Sequence, residues 1–275
     1  MPKYGMVIDL QKCVGCGACA IACKTENNTQ DRAKGQTYNW ADFIMTTEGK
    51  FPNTKFTPRP VLCNHCTDAP CVKACPVTPK AMHKHENGMT IHNMERCIGC
   101  RKCQGACPYS AEDVDKKGAQ YSVISFNDFT DEVHPFYKST KEAIPGCTAS
   151  GAEVSKKAGD MPPHRTLYKH SDYASVREKG KVEKCMFCEH RVLNGEQPYC
   201  VVSCPAKARI FGDLSDANSE ASQLIKKHKA VSLKNSKGEL LKAGEKGTKP
   251  NVFYIRAFRA EVKKEPAKKA AAKKA

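Results

Sequence analysis

Long apolar runs are missing from this 275-residue chain. No stretch approaches the 18 or more consecutive apolar residues that a membrane-spanning helix needs. Aromatic residues make up only 7%, with a single tryptophan, and mean hydropathy is −0.57. A chain of this length with so little hydrocarbon needs something else to fill part of its interior. Also missing are a GxGxxG turn, a Walker loop and a nucleophile elbow, so the sequence offers no dinucleotide, nucleotide-phosphate or acyl-transfer chemistry. No catalytic residue is assigned. The opening Met1–Asp9 has neither a secretory apolar core nor twin arginines. It reads as a strand, and the expectation is a chain with no export signal or anchor of its own.

What the sequence has is cysteine. Sixteen of its seventeen cysteines fall into four groups of four. The first is Cys13, Cys16, Cys19 and Cys23. The second is Cys63, Cys66, Cys71 and Cys75, followed by Pro76. The third is Cys97, Cys100, Cys103 and Cys107, followed by Pro108, and its C-x2-C-x2-C-x3-C-P spacing is that of the bacterial iron–sulfur ligand run. The fourth is split as Cys185, Cys188, then Cys200 and Cys204, followed by Pro205. Sixteen thiolates at this spacing can hold four 4Fe–4S clusters, which makes the chain a conductor of electrons. Gly15, Gly17, Gly99 and Gly105 let the backbone curl closely around such a group, and neighbouring amides can point at sulfur. Val14 and Ile98, each after the first cysteine of its run, are expected to cover a cluster face or to be ordinary core residues.

Two other uses of cysteine compete. Disulfides suit small chains in oxidising compartments, and C-x2-C pairs are too close to bridge comfortably. Structural zinc also uses paired C-x2-C units, but it leaves the third cysteine and the terminal Cys-Pro unexplained. A cysteine-rich zinc protein that binds nucleic acid through its lysines is therefore the non-redox alternative.

In two-cluster ferredoxins the fourth cysteine of each run binds the other cluster. Only Pro76 to Arg96 separates the second and third groups, and Glu86-Asn87-Gly88 there lies between Ala81–His85 and Met89–His92, a hairpin signal. The expected sets are Cys63, Cys66, Cys71 with Cys107, and Cys97, Cys100, Cys103 with Cys75. The first and fourth groups pair only if the chain closes on itself. Cys13, Cys16, Cys19 and Cys204 then form a third set, and Cys185, Cys188, Cys200 and Cys23 a fourth. The fold class that follows is α+β, two ferredoxin-like units related by pseudo-symmetry, with a long insertion and a C-terminal extension. The expected boundaries are 1–60 with 184–215 for one unit, 61–108 for the other, 109–183 for the insertion, 216–261 for a helix and hairpin, and 262–275 for a disordered tail.

The formal charge of +16 suggests nucleic acid, but it omits the cofactor. Four clusters with their thiolates carry roughly −8 to −12 between them. A further +5 sits in Val262–Ala275, where six lysines oppose Glu265. The loaded body is near neutral or modestly basic, so no nucleic-acid partner is expected. The lysine tail is a candidate for anionic lipid headgroups or a partner.

Tyr109 to Glu183 forms the insertion, with a strand expected over Gln120–Phe126 and irregular chain beyond it. A loop of this length is expected to order against another subunit. Cys147 lies here outside every run and is expected to be a free thiol. Further on, Ala208–Phe211 reads as a strand and Asn218 as the cap of a helix through Lys229. Val231–Leu233 and Val252–Phe258 read as a hairpin. His65 and His190 lie beside candidate ligands, where they can hydrogen-bond a cluster or receive a neighbouring subunit. His83, His85 and His92 read as hairpin surface.

The four groups, their order and the x11 gap in the fourth resemble the four-cluster subunits of the complex iron–sulfur molybdoenzymes. This family includes the polysulfide, thiosulfate, tetrathionate, dimethyl sulfoxide and respiratory arsenate reductases. Gly5–Cys16, Lys24–Asn28, Leu62–Cys66 and Phe253–Arg256 look most like the arsenate reductase small subunit. The resemblance implies a large catalytic partner carrying a molybdenum bis-pterin guanine dinucleotide, and a quinone-reactive integral membrane subunit or soluble carrier. It implies no direct substrate on this chain. Cys103 stands where some relatives lack a ligand, so four cubanes are expected; Cys23 is followed by Lys24 rather than proline. The alternative within redox chemistry is the small subunit of a hydrogenase or formate dehydrogenase. Location follows the partners: the membrane's periplasmic face by co-export, or the cytoplasm if the partner carries no signal.

Overall fold

A computed structural model describes residues 1–27, 29, 39–114, 121–128, 135–142, 144–159, 178–235 and 248–256. The expected lysine tail lies outside these residues, as does most of the expected hairpin loop before Val252.

The first strand, β1 (Tyr4–Asp9), is the seam of the fold. On one side it pairs antiparallel with β8 (Arg209–Asp213), and on the other it runs parallel to β9 (Val252–Ile255). This three-stranded sheet closes the two ends of the chain on each other and so brings the first and fourth cysteine groups together. Met6, Val7 and Ile8 are fully buried at its centre. Asp9 ends β1: its carboxylate accepts the Gln11 and Lys12 amides and pairs with Arg256 just beyond β9. That clasp fixes the turn from which Cys13 departs.

The first group continues into α1 (Ala18–Asn27) and the second into α2 (Pro70–Ala74), where Pro70 occupies a first-turn position that needs no amide donor. The third carries α3 (Lys102–Ala106), and the fourth carries α5 (Glu189–Leu193) and α6 (Tyr199–Val202). α1 packs against α6, and α2 against α3. Between the first and second groups stands a long hairpin, β2 (Asp42–Lys50) and β3 (Asn53–Val61). The Asn-Gly hairpin forms as expected, with β4 (Met82–Lys84) antiparallel to β5 (Thr90–His92) and Gly88 at φ +82°.

Several local expectations need correction. The strand expected over Gln120–Phe126 shrinks to β6 (Ser125–Phe126), paired with β7 (Val182–Glu183). Within the insertion Tyr109, Tyr121, Val123 and Ile124 are buried in the core, and the Tyr121 hydroxyl donates to the Trp40 carbonyl. Farther in, α4 (Gly151–Ala158) carries a full capping box between Ser150 and Glu153. The C-terminal helix, α7 (Glu220–Lys227), is capped by Ser219 and not Asn218, because the Ser219 hydroxyl reaches the Ser222 amide. Val231 and Tyr254 share a single antiparallel bridge where a hairpin was expected, on the edge of β9 opposite β1. His92 is buried rather than on the hairpin surface.

Sulfur is a large part of the core. Cys19, Cys23, Cys63, Cys71, Cys75, Cys97, Cys103, Cys185 and Cys200 belong to the main cluster of buried residues. Helices of four or five residues, such as α2, α3, α5 and α6, are too short to persist without tertiary support. Stripping iron by oxidation and chelation is therefore expected to expose these four helices to protease, with cleavage at least about tenfold faster than in the loaded protein. Equal cleavage rates would show a core that stands without its metal.

Candidate metal centres

Two of the expected sets of four each line one cavity, and thiols of the other two lie near one another. Cys75, Cys97, Cys100 and Cys103 line one cavity of about 300 Å³, counted to its open mouth, together with Pro76, Ile98 and Arg101. Cys13, Cys16, Cys19 and Cys204 line a second, of about 360 Å³, with Val14, Pro60 and Arg209. The Cys66 thiol lies near those of Cys63, Cys107 and Cys71, and burial above all raises its pKa. Cys71 and Cys107 are pushed up to about 12 by burial. Around Cys185 stand Cys23 and Cys200, and Cys188 neighbours the same two; burial is again the main reason that both thiols titrate high. Cys147 is exposed and belongs to no set.

One local conformation recurs in all four groups. The amide two residues after the first cysteine turns back onto that cysteine's sulfur: Gly15 onto Cys13, His65 onto Cys63, Gly99 onto Cys97 and Phe187 onto Cys185. All four residues have positive φ, at 69°, 43°, 69° and 55°. At Gly99 no larger residue fits, because a Cβ would stand 1.9 Å from the Gly180 carbonyl oxygen. At Gly15 a Cβ would meet Pro58 at 2.3 Å. Further amides reach sulfur from Ala41 to Cys23 and from Ala208 to Cys204, each at 3.3 Å. Asn27 on α1 directs its amide nitrogen at Cys23 and Cys188, at 3.7 and 3.8 Å.

These surroundings suit a multi-iron cluster. Four thiols enclose a space rather than a point, and N–H groups face the sulfurs, where they stabilise negative charge.

The histidine expectations divide. His65 is fully buried and cannot receive another subunit; its ring stacks on Phe187 with centroids 3.6 Å apart, and its Nδ1 accepts the Thr90 amide. His190 is part-buried and meets the Glu26 carboxylate at 2.7 Å. Val14 and Ile98 are not core: they are 64% and 65% exposed and wall their cavities from outside. Sequence reasoning missed two buried cations. Lys184 is fully buried, its ammonium donating to the Thr90 and Cys185 carbonyls, and Arg209 lies against Cys200 at 3.9 Å. The available signal was position: Lys184 sits between the buried strand β7 and Cys185, and Arg209 begins a strand five residues after Cys204.

Fold and site together define a ferredoxin-type protein with cysteine sets for several 4Fe–4S clusters. Residues 53–125 and 152–214 match the 4Fe–4S dicluster domain family, and residues 4–25 a 4Fe–4S binding domain. The arsenate respiratory reductase iron–sulfur subunit of Shewanella sp. (strain ANA-3) is 46% identical over 257 residues, 93% of this chain and 97% of that protein. A selenate reductase subunit of Mesobacillus selenatarsenatis is 34% identical, covering 92% of this chain and 72% of its own length. The menaquinone reductase iron–sulfur cluster-binding subunit of Nitratidesulfovibrio vulgaris is 32% identical, covering 92% and 88%. The chain belongs to the family of 4Fe–4S electron-transfer subunits of the complex iron–sulfur molybdoenzymes.

Gly99→Ala is expected to lower bound iron by about a quarter, the share of one cluster in four, because its Cβ has no room. Gly105→Ala, where a Cβ meets nothing within 4 Å, is expected to keep full iron. Iron and acid-labile sulfide assays after anaerobic purification check both.

Proposed function

We propose that this chain is a four-cluster relay, with one 4Fe–4S cluster in each of four sets: Cys13, Cys16, Cys19, Cys204; Cys185, Cys188, Cys200, Cys23; Cys63, Cys66, Cys71, Cys107; and Cys97, Cys100, Cys103, Cys75. When bound, each cluster supplies a site that takes up and releases one electron. What supports the reading is that two of the quartets, each three cysteines of one run and the last of another, line single cavities, and that the thiols of the other two lie near one another. Two ferredoxin-like units, residues 1–60 with 184–215 and residues 61–108, are thereby related by pseudo-symmetry, with α1 against α6 in one and α2 against α3 in the other.

The sets form a line. Cys103 lies near Cys71, joining the Cys97 set to the Cys63 set. Cys63 lies near Cys185, joining that set to the next, and Cys200 lies near Cys19, reaching the Cys13 set. The two end sets each hold an exposed cysteine, Cys100 at one end and Cys16 at the other. Electrons enter and leave there, and the His65 and Phe187 rings stack between the two middle sets.

One end faces a large molybdopterin catalytic subunit and the other a quinone-reactive membrane subunit. Among the described residues no helix is long and apolar enough to cross a membrane, so attachment comes through that partner. The complex sits at the periplasmic face by co-export. The catalytic subunit reduces an oxyanion, arsenate before the others, on the strength of 46% identity across nearly the whole arsenate-linked relative.

Anaerobic purification should give about sixteen irons and sixteen sulfides per chain, and EPR of the dithionite-reduced protein should show spin-coupled reduced cubanes. Stoichiometric zinc without sulfide, together with failed iron reconstitution, would overturn the relay. The co-purified large subunit should reduce arsenate from a reduced dye at least about tenfold faster than selenate or tetrathionate, a margin of ~1.4 kcal/mol in the barrier.

A further inference from the structure

We propose that Arg209 is the shared counter-charge of two neighbouring clusters, those of the Cys13 and Cys185 sets, and that it raises the reduction potential of both. The inference rests on the ligand sets proposed above.

Arg209 opens β8, and its place opposite Ile8 in the sheet register turns its side chain into the sulfur core. It is 3% exposed. Its Nη1 lies 3.9 Å from Cys200 Sγ and 3.8 Å from Met6 Sδ, and it shares the lining of one cavity with Cys19, close enough for the two to interact electrostatically. Cys200 belongs to one set and Cys19 to the next, so a single cation spans the junction. The same residue lines the cavity of the Cys13 set.

A guanidinium stays charged at every accessible pH. Burying it without a counter-charge is costly. Among the described residues no carboxylate lies within ion-pair distance of Arg209. Tyr254 is near, but its hydroxyl donates to the Pro60 carbonyl and stays neutral, its pKa raised by burial. The charges that remain are sulfur. Arg209 lowers the pKa of the Cys13 and Cys200 thiols, against the larger effect of burial, so its field reaches ligands of both sets.

The sign of the effect follows from charge. Reduction adds one negative charge to a cluster, and a nearby cation stabilises the reduced form more than the oxidised form. Two adjacent anionic clusters also oppose each other's reduction. A cation between them offsets part of that repulsion, so an electron can pass from one to the other without a large uphill step.

The test compares Arg209→Met, which keeps most of the volume and removes the charge, with Arg209→Lys, which keeps the charge. Each protein is purified anaerobically, assayed for iron, and titrated by EPR at poised potentials. In the fully loaded Met variant, two of the four midpoints should fall by at least a factor of ten in the one-electron equilibrium, ~59 mV. The other two should hold, and the Lys variant should stay within tenfold of the parent at all four. Midpoints that do not move in a fully loaded Met variant would overturn the proposal, and so would a fall shared equally by all four. If the Met variant takes up no iron while the Lys variant does, charge is required at this junction and the proposal stands. If neither loads, the side chain acts by packing and the proposal fails. A parent protein with fewer than four clusters would overturn the ligand sets instead, a result visible before either variant is made.

Discussion

The rest of the structure depends on burying sulfur that must carry negative charge. Thiols placed in a dry interior resist ionisation, as the high pKa values of Cys71, Cys103 and Cys107 show, each about 12 and each raised chiefly by burial. Ligation by iron makes them thiolates and deepens the problem. The fold answers with donors and cations. Backbone amides are turned back onto the first sulfur of every run, Asn27 reaches two further sulfurs, and Lys184, Lys84 and Arg209 bring positive charge inside. Lys84 shows what this costs. Burial first and Lys184 second push its pKa down to about 8, while nearby thiols pull it back up.

That constraint also explains why the backbone is irregular where the chemistry is dense. An amide can face the sulfur two residues earlier only if its residue enters the left-handed region, which glycine reaches without strain and other residues at a cost of ~1 kcal/mol or more. Groups one and three use Gly15 and Gly99; groups two and four use His65 and Phe187. The two residues that carry strain are also the two that stack on each other at 3.6 Å. Ring packing at the junction of the two middle sets thus helps hold the conformation that aims both amides, which a glycine pair could not do.

Much of this was legible in the sequence because the cysteine spacing is local. The four runs, the Asn-Gly hairpin and the strand leading to Cys13 all follow from residues a few positions apart. What escaped is long-range. Parallel pairing of β1 with β9 joins residues about 245 positions apart and leaves no local mark, so Val252–Phe258 read as half of a hairpin with the chain just before it. Burial of charged residues escaped for another reason: a lysine or arginine in isolation reads as surface, and only neighbouring anionic sulfur makes Lys184 or Arg209 stable inside. Val14 and Ile98 follow the first of their two readings: they are exposed and line the cavities of the Cys13 and Cys97 sets, and they are not ordinary core.

The seam along β1 ties these levels together. The Asp9 carboxylate accepts two amides and a guanidinium, and so fixes both the end of β1 and the start of the first cysteine turn. The neighbouring register places Arg209 opposite Ile8, with its side chain on the sulfur side. Because residues alternate across a strand, a one-position slip between β1 and β8 would turn Arg209 away from Cys19 and Cys200 and put Ile210 in its place. Ile210 instead packs with Val7, Ala221 and Ile255 on the opposite face, under α7. The small apolar cluster on that far face therefore holds the register. Through it, α7, packed on β8, β1 and β9, helps determine where a cation stands between two of the cysteine sets.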